Sequence, residues 1–434
     1  MHRQALTIRA LVLAGILAIV GLFFGAAPAL AQDEDQSVRG VLRYEGEFVE
    51  GVGISVTTED GTAVGEATSD AEGRWRVGVP EPGTYIVTLD ITTLPDDIEG
   101  VAVETITTQV NNTQQKSVLF RVGVPSEGGE TGTGGATVGS SFSWDRVAQL
   151  AVEGLRFGVV LALAALGLSM IFGTTGLTNF GHGELITFGA IAAWYLNDAG
   201  LPFVAATLIA VVLGGLFGLG QDTVLWNPLR RRKTGLISMM IVSIGLAIFL
   251  RYTYLYIFGG GRQSYREYTI QTGIEVGPVT LAPRDIASMV VAVVVLAAVV
   301  WALSSTRIGK ATRAVSDNPA LASASGIDVN QVIRVVWIGG AALAALAGVL
   351  IGLSQTVDYQ MGFKTLLLVF AAVILGGLGT ISGAIVGAIL VGLFIQLSTL
   401  IIPIELQAAG VLGILVIVLL IRPQGILGRR ERVG

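Results

Sequence analysis

The sequence predicts a mostly α-helical, polytopic membrane bundle of about eight to nine spans, preceded by a small all-β sandwich. Three observations carry this. Hydrophobic residues make up 52% of the 434-residue chain and charged residues only 14%, whereas a soluble domain carries about 25% charge. Long apolar runs fill the C-terminal two-thirds. Ahead of them, residues 37–122 alternate with a period of two, the signature of half-buried strands. The net charge of −5 conceals an asymmetry: acidic residues crowd the segment after the N-terminus, while arginines collect between apolar runs. The chain has no cysteine and two histidines, His2 and His182. This excludes disulfides, a thiol-ligated metal and a His-based zinc site.

The first element reads as an address. Arg3 and Arg9 precede the apolar run 10–27, and Ala29-Leu30-Ala31 follows. A charged region, an apolar region and an A-x-A site predict a signal peptide over 1–31 and a mature start at Gln32. An uncleaved anchor is the alternative, because the run approaches spanning length. Either places residue 33 onward outside the cytoplasm.

The extracytoplasmic β-sandwich is expected over 32–124. Strands are predicted at Val38–Tyr44, Gly73–Val79, Thr84–Leu89 and Lys116–Val122, and the turn signals are Glu59-Asp60-Gly61, Asp70-Ala71-Glu72-Gly73 and Glu81-Pro82-Gly83. Trp75 is expected in the core. Asp70 and Glu72 read as turn residues, with calcium ligation as the alternative. Asn111-Asn112-Thr113 matches a glycosylation sequon and carries no weight here. Residues 51–56, 69–75 and 82–85 together resemble the carboxypeptidase-regulatory-like, prealbumin-type sandwich. Residues 125–143, rich in Gly, Ser and Thr, are expected to be a flexible tether, and 144–434 the membrane domain.

Apolar segments fall near 147–172, 183–197, 201–222, 236–258, 285–304, 331–354, 364–379, 383–402 and 407–421. The second and seventh are short and Gly-interrupted, so they read as half-helices or tilted pieces. Alternating from an external residue 143 places Arg230–Lys233, the 305–330 loop and the tail arginines inside, which satisfies the positive-inside rule. The 259–284 loop alone brings arginines (Arg262, Arg266, Arg284) outside, accompanied by Glu267, Glu275 and Asp285. Gly214/Gly218 and Gly379/Gly383/Gly387 recur every four residues, a spacing that lets membrane helices approach closely.

The stretch 173–184, GTTGLTNFGHGE, opens a polar gap between apolar runs. Irregular backbone survives in a bilayer only inside protein or beside water, so the break points to a route for something polar. Asn179, Gly181, His182, Gly183 and Glu184 are its candidate lining. A structural cap on loosened helix ends is the plain alternative. Gly376, Gly377 and Gly379 form a second break, expected on the same translocation pathway and as the counterpart of the first in an internal repeat. Glu184 is expected to pair with His182 or an arginine, Arg251 to snorkel to the outer interface or pair with Asp222, and Glu153 to pair with Arg156 on one helix face.

From about residue 147 to the end, five blocks in order resemble the permease subunits of branched-chain amino-acid ABC transporters, the LivH type. They are GLSMIFG (167–173) with TNFGHGE (178–184); NPLR (227–230) with SIGL (243–246); Arg313-Ala314 with ASASGI (322–327); GFK (362–364) with ILGGLGTISG (374–383); and RPQGILG (422–428). Two features depart from the pattern: members usually lack a β-domain, and Arg251 stands where an uncharged polar residue is more familiar.

The resemblance implies a permease subunit of a binding-protein-dependent importer for branched-chain amino acids or related small polar solutes such as urea or amides. It implies coupling of Arg313, Ala322, Gly326 and Ile327 to an ATPase. It also implies a second homologous permease subunit, two ABC ATPase subunits, an extracytoplasmic solute-binding protein and a lipid environment in the cell membrane, with the C-terminus cytoplasmic and no nucleic acid. The chain has no P-loop motif. ATP and magnesium are therefore expected on the partner ATPase and no cofactor on this chain, which is not read as an enzyme. The competing reading is a membrane-anchored receptor or envelope scaffold acting through the sandwich. A membrane enzyme would need a cluster of catalytic groups, and only His182 among the histidines lies in the relevant region.

Overall fold

A computed structural model describes residues 37–120 (save 45–46, 72, 82, 96–97, 99–103, 111–114 and 119), 132–133, 144–266, 273–401, 406–422 and 424–428. The expected signal peptide, the sequon, Glu72, Glu267, the last tail arginines and nearly all of the tether lie outside the described residues. The chain divides into two compact units, with residues 26–141 forming one and residues 142–434 belonging to the other.

The first unit is all β. Its strands are β1 (Ser37–Val41), β2 (Arg43–Tyr44), β3 (Glu47–Phe48), β4 (Gly53–Thr58), β5 (Ala63–Thr68), β6 (Arg74–Gly78), β7 (Gly83–Leu89), β8 (Thr105–Val110), β9 (Gln115–Val118) and β10 (Gly132–Thr133). They form a three-stranded sheet, β6-β1-β9, a five-stranded sheet, β10-β8-β7-β4-β5, and the small pair β2-β3. Alternate residues turn inward as the period-two pattern requires. Trp75 and Val77 of β6 meet Ile54, Val56, Tyr85, Val87 and Phe120 in one core, and the Trp75 and Phe120 rings lie 6.3 Å apart. Gly40 pairs with Trp75 across β1 and β6, and a Cβ there would lie 2.6 Å from the indole nitrogen. Asp70 is a turn residue, since its Oδ1 accepts from the Arg74 amide at 2.7 Å and its carbonyl from Gly73. β4, β5 and β8 were not among the expected strands; the sequences of β5 and β8, AVGEAT and TITTQV, alternate weakly.

The second unit is helical: α1 (Trp144–Thr175), α2 (His182–Asp198), α3 (Phe203–Gln221), α4 (Asn227–Arg231), α5 (Leu236–Phe258), α6 (Pro283–Ser305), α7 (Arg307–Asp317), α8 (Pro319–Ala324), α9 (Val329–Ser354), α10 (Met361–Gly376), α11 (Ile381–Ser398) and α12 (Gln407–Ile421). A π-helical turn, Asp222–Trp226, joins α3 to α4. A hairpin of β11 (Ile274–Val276) and β12 (Val279–Leu281) precedes α6. Among the described residues, six helices are long and apolar enough to cross a membrane: α1, α3 continued through α4, α5, α6, α9 and α11. The short apolar segments of the sequence appear as α2 and α10, of 17 and 16 residues.

α1 and α9 are the most buried spans and form the centre. Small residues bring backbones together there. A Cβ on Gly158 would stand 2.8 Å from the Ile389 Cα of α11, and one on Gly218 would stand 2.6 Å from the Trp337 carbonyl of α9. Lipid offers no hydrophobic drive between helices, so this close packing supplies the cohesion.

Two expected pairings are corrected. Arg156 binds Asp285 and, at 2.6 Å, Ser354, while Glu153 accepts from Gln149 and Gln396. Asp222 binds Arg230 at 2.6 Å, one turn beyond the π-helical turn, not Arg251. For Arg156 a residue distant in sequence reaches the charge better than the neighbour that helix spacing selects, and for Asp222 the nearby Arg230 does so just past the π-helical turn.

Candidate functional site

α1 ends at Thr175, where Gly176 takes φ +67° and the Thr175 hydroxyl accepts from the Leu177 amide at 3.2 Å. The chain then doubles back along its own helix. His182, the first residue of α2, places Nε2 3.0 Å from the Ala164 carbonyl. Ala164 lies eleven residues before the end of α1, or about 16 Å along the axis. α2 therefore begins deep inside the bundle, at the end of a re-entrant stretch.

The surroundings of this helix start are polar and closed. Asn179 and His182 are 0% exposed and Glu184 1%. Asn179 Oδ1 accepts from the Gly181 amide, Ser243 Oγ of α5 from the Phe180 amide at 3.1 Å, and the Glu184 carbonyl from the Tyr254 hydroxyl at 3.1 Å. Arg251 of α5 donates from Nε and Nη2 to Glu184 Oε1 at 3.3 and 3.1 Å, and its guanidinium lies 3.9 Å over the Phe363 ring. Arg251 thus neither snorkels nor meets Asp222. A buried carboxylate draws it inward, because an unpaired charge in this setting costs several kcal/mol.

α10 begins against α2. The Gly362 amide donates to Thr187 Oγ1 at 3.1 Å, and a Cβ on Gly183 would stand 2.6 Å from the Gly362 carbonyl. The stretch 355–360 leads into α10 as 177–181 leads into α2. Two short helices accordingly present their N-termini, with the partial positive charge of a helix start, to one region.

Three side-chain atoms here have no hydrogen-bond partner: Asn179 Nδ2, His182 Nδ1 and Glu184 Oε2. Each such buried atom costs about 1–3 kcal/mol. A structural cap accounts for Asn179 Oδ1 alone. The remaining atoms offer donor and acceptor capacity to water or a polar solute.

The second break is built differently. Gly377 and Gly379 take φ +117° and +74°. The Gly376 carbonyl accepts from Leu427 and the Leu375 carbonyl from Ile426, at 2.9 and 2.8 Å. A Cβ on Gly377 would stand 2.6 Å from the Gly428 amide nitrogen, and one on Gly379 would stand 3.4 Å from Gly173 Cα. Ser169 of α1 donates to the Thr380 carbonyl at 3.1 Å. The glycines let the C-terminal stretch and α1 approach this backbone.

α7 and α8 make a short elbow. Ala322 is buried with Trp226, Trp337 and Ile171, and Ile327 packs against the same cluster. Gly326 takes φ +85° and closes α8, with the Ile327 amide bonded to the Ala322 carbonyl at 3.0 Å. Arg313 is exposed and donates to the Ser304 carbonyl. Leu321 is 65% exposed. Ser316 Oγ lies 3.1 Å from where a Cβ on Gly173 would be, so the elbow touches the glycine that touches Gly379.

Sequence reasoning missed Gly362 and Thr187 as partners of the first break, and Arg251 as the partner of Glu184. The shortness of both α2 and α10 was the available signal. Among the described residues, no group of three His, Cys, Asp or Glu side chains could hold a metal ion.

A family profile described as "Branched-chain amino acid transport system / permease component" matches residues 150–421. The high-affinity branched-chain amino acid transport system permease protein LivH of Escherichia coli K12 is 32% identical over 294 residues, covering 64% of this chain and 94% of that protein. The corresponding BraD protein of Pseudomonas aeruginosa is 31% identical, covering 65% and 96%. A probable branched-chain amino acid transport permease protein LivH of Methanocaldococcus jannaschii is 30% identical, covering 58% and 81%.

Proposed function

This chain belongs to the branched-chain amino acid transport system permease family, and on that premise we propose that it carries branched-chain amino acids, or closely related small solutes, through a route lined by the first break. It is an integral membrane transport subunit. Its partners in this reading are a homologous second permease subunit, two ATPase subunits that bind ATP and magnesium, and a solute-binding protein outside the cell. The chain itself performs no catalysis.

The observation that carries the reading is the re-entrant stretch 176–181 with the start of α2. It holds a Glu184–Arg251 pair and three unpartnered polar atoms deep among apolar helices. Intramembrane ionisable groups are costly and are retained where ions or solutes pass. Two facing helix N-termini favour a carboxylate. In this reading Asn179, Gly181, His182, Gly183 and Glu184 line the route, and α2 is held against α10 beside it by the close Gly183–Gly362 contact. Gly376, Gly377 and Gly379 shape the far end of the same passage, where the C-terminal stretch docks.

The end of the bundle bearing Thr175, Arg230–Lys233, Arg307, Lys310, Arg313 and Arg422 is cytoplasmic in this reading, as the positive-inside rule favours. The Trp144 end and the β unit are then extracytoplasmic. The elbow α7–α8, with Arg313, Ala322, Gly326 and Ile327, receives the ATPase. Its motion reaches the second break through Ser316, Gly173 and Gly379. The β unit docks the solute-binding protein, and full leucine uptake after deletion of residues 37–122 would remove that role.

The chain lacks cysteine, so single cysteines test the route directly. Asn179→Cys and Gly181→Cys in the assembled transporter are expected to react with small water-soluble thiol reagents during ATP turnover. Inertness of both in resting and turning-over preparations refutes the route.

A further inference from the structure

α3 and α6 flank α9 and leave a gap over it. α3 lies tightly on α9, because Gly214 and Gly218 admit the Ala345 and Ala341 methyls, whereas α6 leans more on α1. The gap is a groove of about 570 Å³, a volume that suits a small ligand. Val204 and Leu208 of α3 form one wall and Val291 and Val295 of α6 the other. The floor follows α9 from Gly339 to Leu353, or about 21 Å along the axis.

The floor is one face of a helix. Leu343, Leu346, Leu350 and Leu353 recur at helical spacing along it. On the opposite face of α9, Gly348 meets the Ile186 carbonyl of α2. The rims are exposed at Val204, Leu208 and Val291, and less than half of the α3 and α6 spans is buried. The groove therefore opens on a surface made for hydrocarbon. It is too thin for a partner's helix, since a helix about 10 Å across and 21 Å long fills roughly 1,600 Å³. An extended hydrocarbon tail has the right shape.

Thr207 adds one polar contact. It lines the groove one turn inside the start of α3, and its buried Oγ1 has no hydrogen-bond partner. The other polar groups of the lining are occupied. Ser288 donates to the Asp285 carbonyl at 2.8 Å, and Arg284 is engaged within the protein.

We propose that the groove is a glycerolipid site, in which one acyl tail lies along α9 between α3 and α6 and the ester carbonyl at its top accepts from the Thr207 hydroxyl. A helix start lies near the membrane interface, so a hydroxyl one turn in stands at the depth where a lipid's esters join its tails. The tail fills a gap that protein leaves open and backs α9 where its far side holds α2.

The test uses the full chain in nanodiscs of phosphatidylethanolamine and phosphatidylglycerol, with a phosphatidylglycerol probe bearing a diazirine midway along one tail. Photolabelling is expected to favour Val295 and Leu343 of the groove about tenfold over Ile241 and Phe249, which are exposed on α5. Gly339→Leu enters open space, because a Cβ there meets nothing within 4 Å. Both it and Ala342→Phe should remove the excess and leave α5 labelling unchanged. An ether-linked probe, which has no carbonyl, should label the groove about three- to tenfold less than the ester probe, and Thr207→Val should make the two equal.

Even labelling of the groove and α5, or an excess that both filling variants leave untouched, means surrounding lipid only and overturns the site. An ester–ether difference that is absent, or that survives Thr207→Val, overturns the Thr207 contact. Loss of the excess in the assembled transporter shows a partner subunit in the groove and overturns lipid as its occupant.

Discussion

Two Gly-rich interruptions stand between apolar helices, and they do different work. The first, residues 176–181, is followed by buried Glu184 and His182 and leaves three polar atoms without partners. The second, around residues 376–380, carries no charged group. It uses positive φ at Gly377 and Gly379 to admit the C-terminal stretch and α1. The same sequence signal thus leaves buried polar atoms unsatisfied in one case and makes a joint between backbones in the other. Unsatisfied side chains separate the two, not glycine content.

The comparison breaks most readily at the first interruption. Arg251→Leu leaves Glu184 buried and uncompensated, and is expected to lower stability by about 3–5 kcal/mol, read by thermal unfolding in detergent. Adding Glu184→Gln should recover most of that loss without recovering uptake. Wild-type uptake by the double variant would show that the pair serves only folding.

At the second interruption, Gly377→Ala forces a side chain into a left-handed conformation against the Gly428 amide. A loss of about 1–3 kcal/mol is expected, with thiol labelling at position 179 unchanged among folded molecules. If that labelling disappears, the two interruptions are one functional unit. Ending the chain at Arg422 removes the two backbone hydrogen bonds to Leu375 and Gly376, each worth about 0.5–1.5 kcal/mol. ATPase activity should then respond less to loaded binding protein, while a solute that binds the route still protects position 179. The smallest effect is expected for Thr175→Val, which deletes the hydroxyl that accepts from Leu177 and costs about 1 kcal/mol. It should slow uptake slightly without changing which thiol sites react.

Much of the architecture was legible before any coordinates. Period-two alternation located the Trp75 core, and runs of apolar residues located the membrane helices. The polar residues of the first interruption were legible too, since their cost in a bilayer makes them conspicuous. Their partners were not. Arg251 lies 67 positions from Glu184 and Gly362 lies 179 from Gly183, and periodicity within one helix says nothing about which helix lies alongside. Arg156 shows the same limit: helical spacing offered Glu153, while Asp285 on α6 supplied the counter-charge. The re-entrant path was hidden because a six-residue gap reads as a turn unless the depth of the following helix is known.

Gly173 has neighbours on both sides: Ser316 from the α7–α8 elbow and Gly379 from the second interruption. A Cβ there would stand 3.1 Å from the Ser316 hydroxyl and 3.3 Å from the Gly379 carbonyl, so a larger residue would crowd both neighbours at once. In the proposed reading, a push on the elbow reaches the second interruption at this one residue, which has no side chain to cushion it.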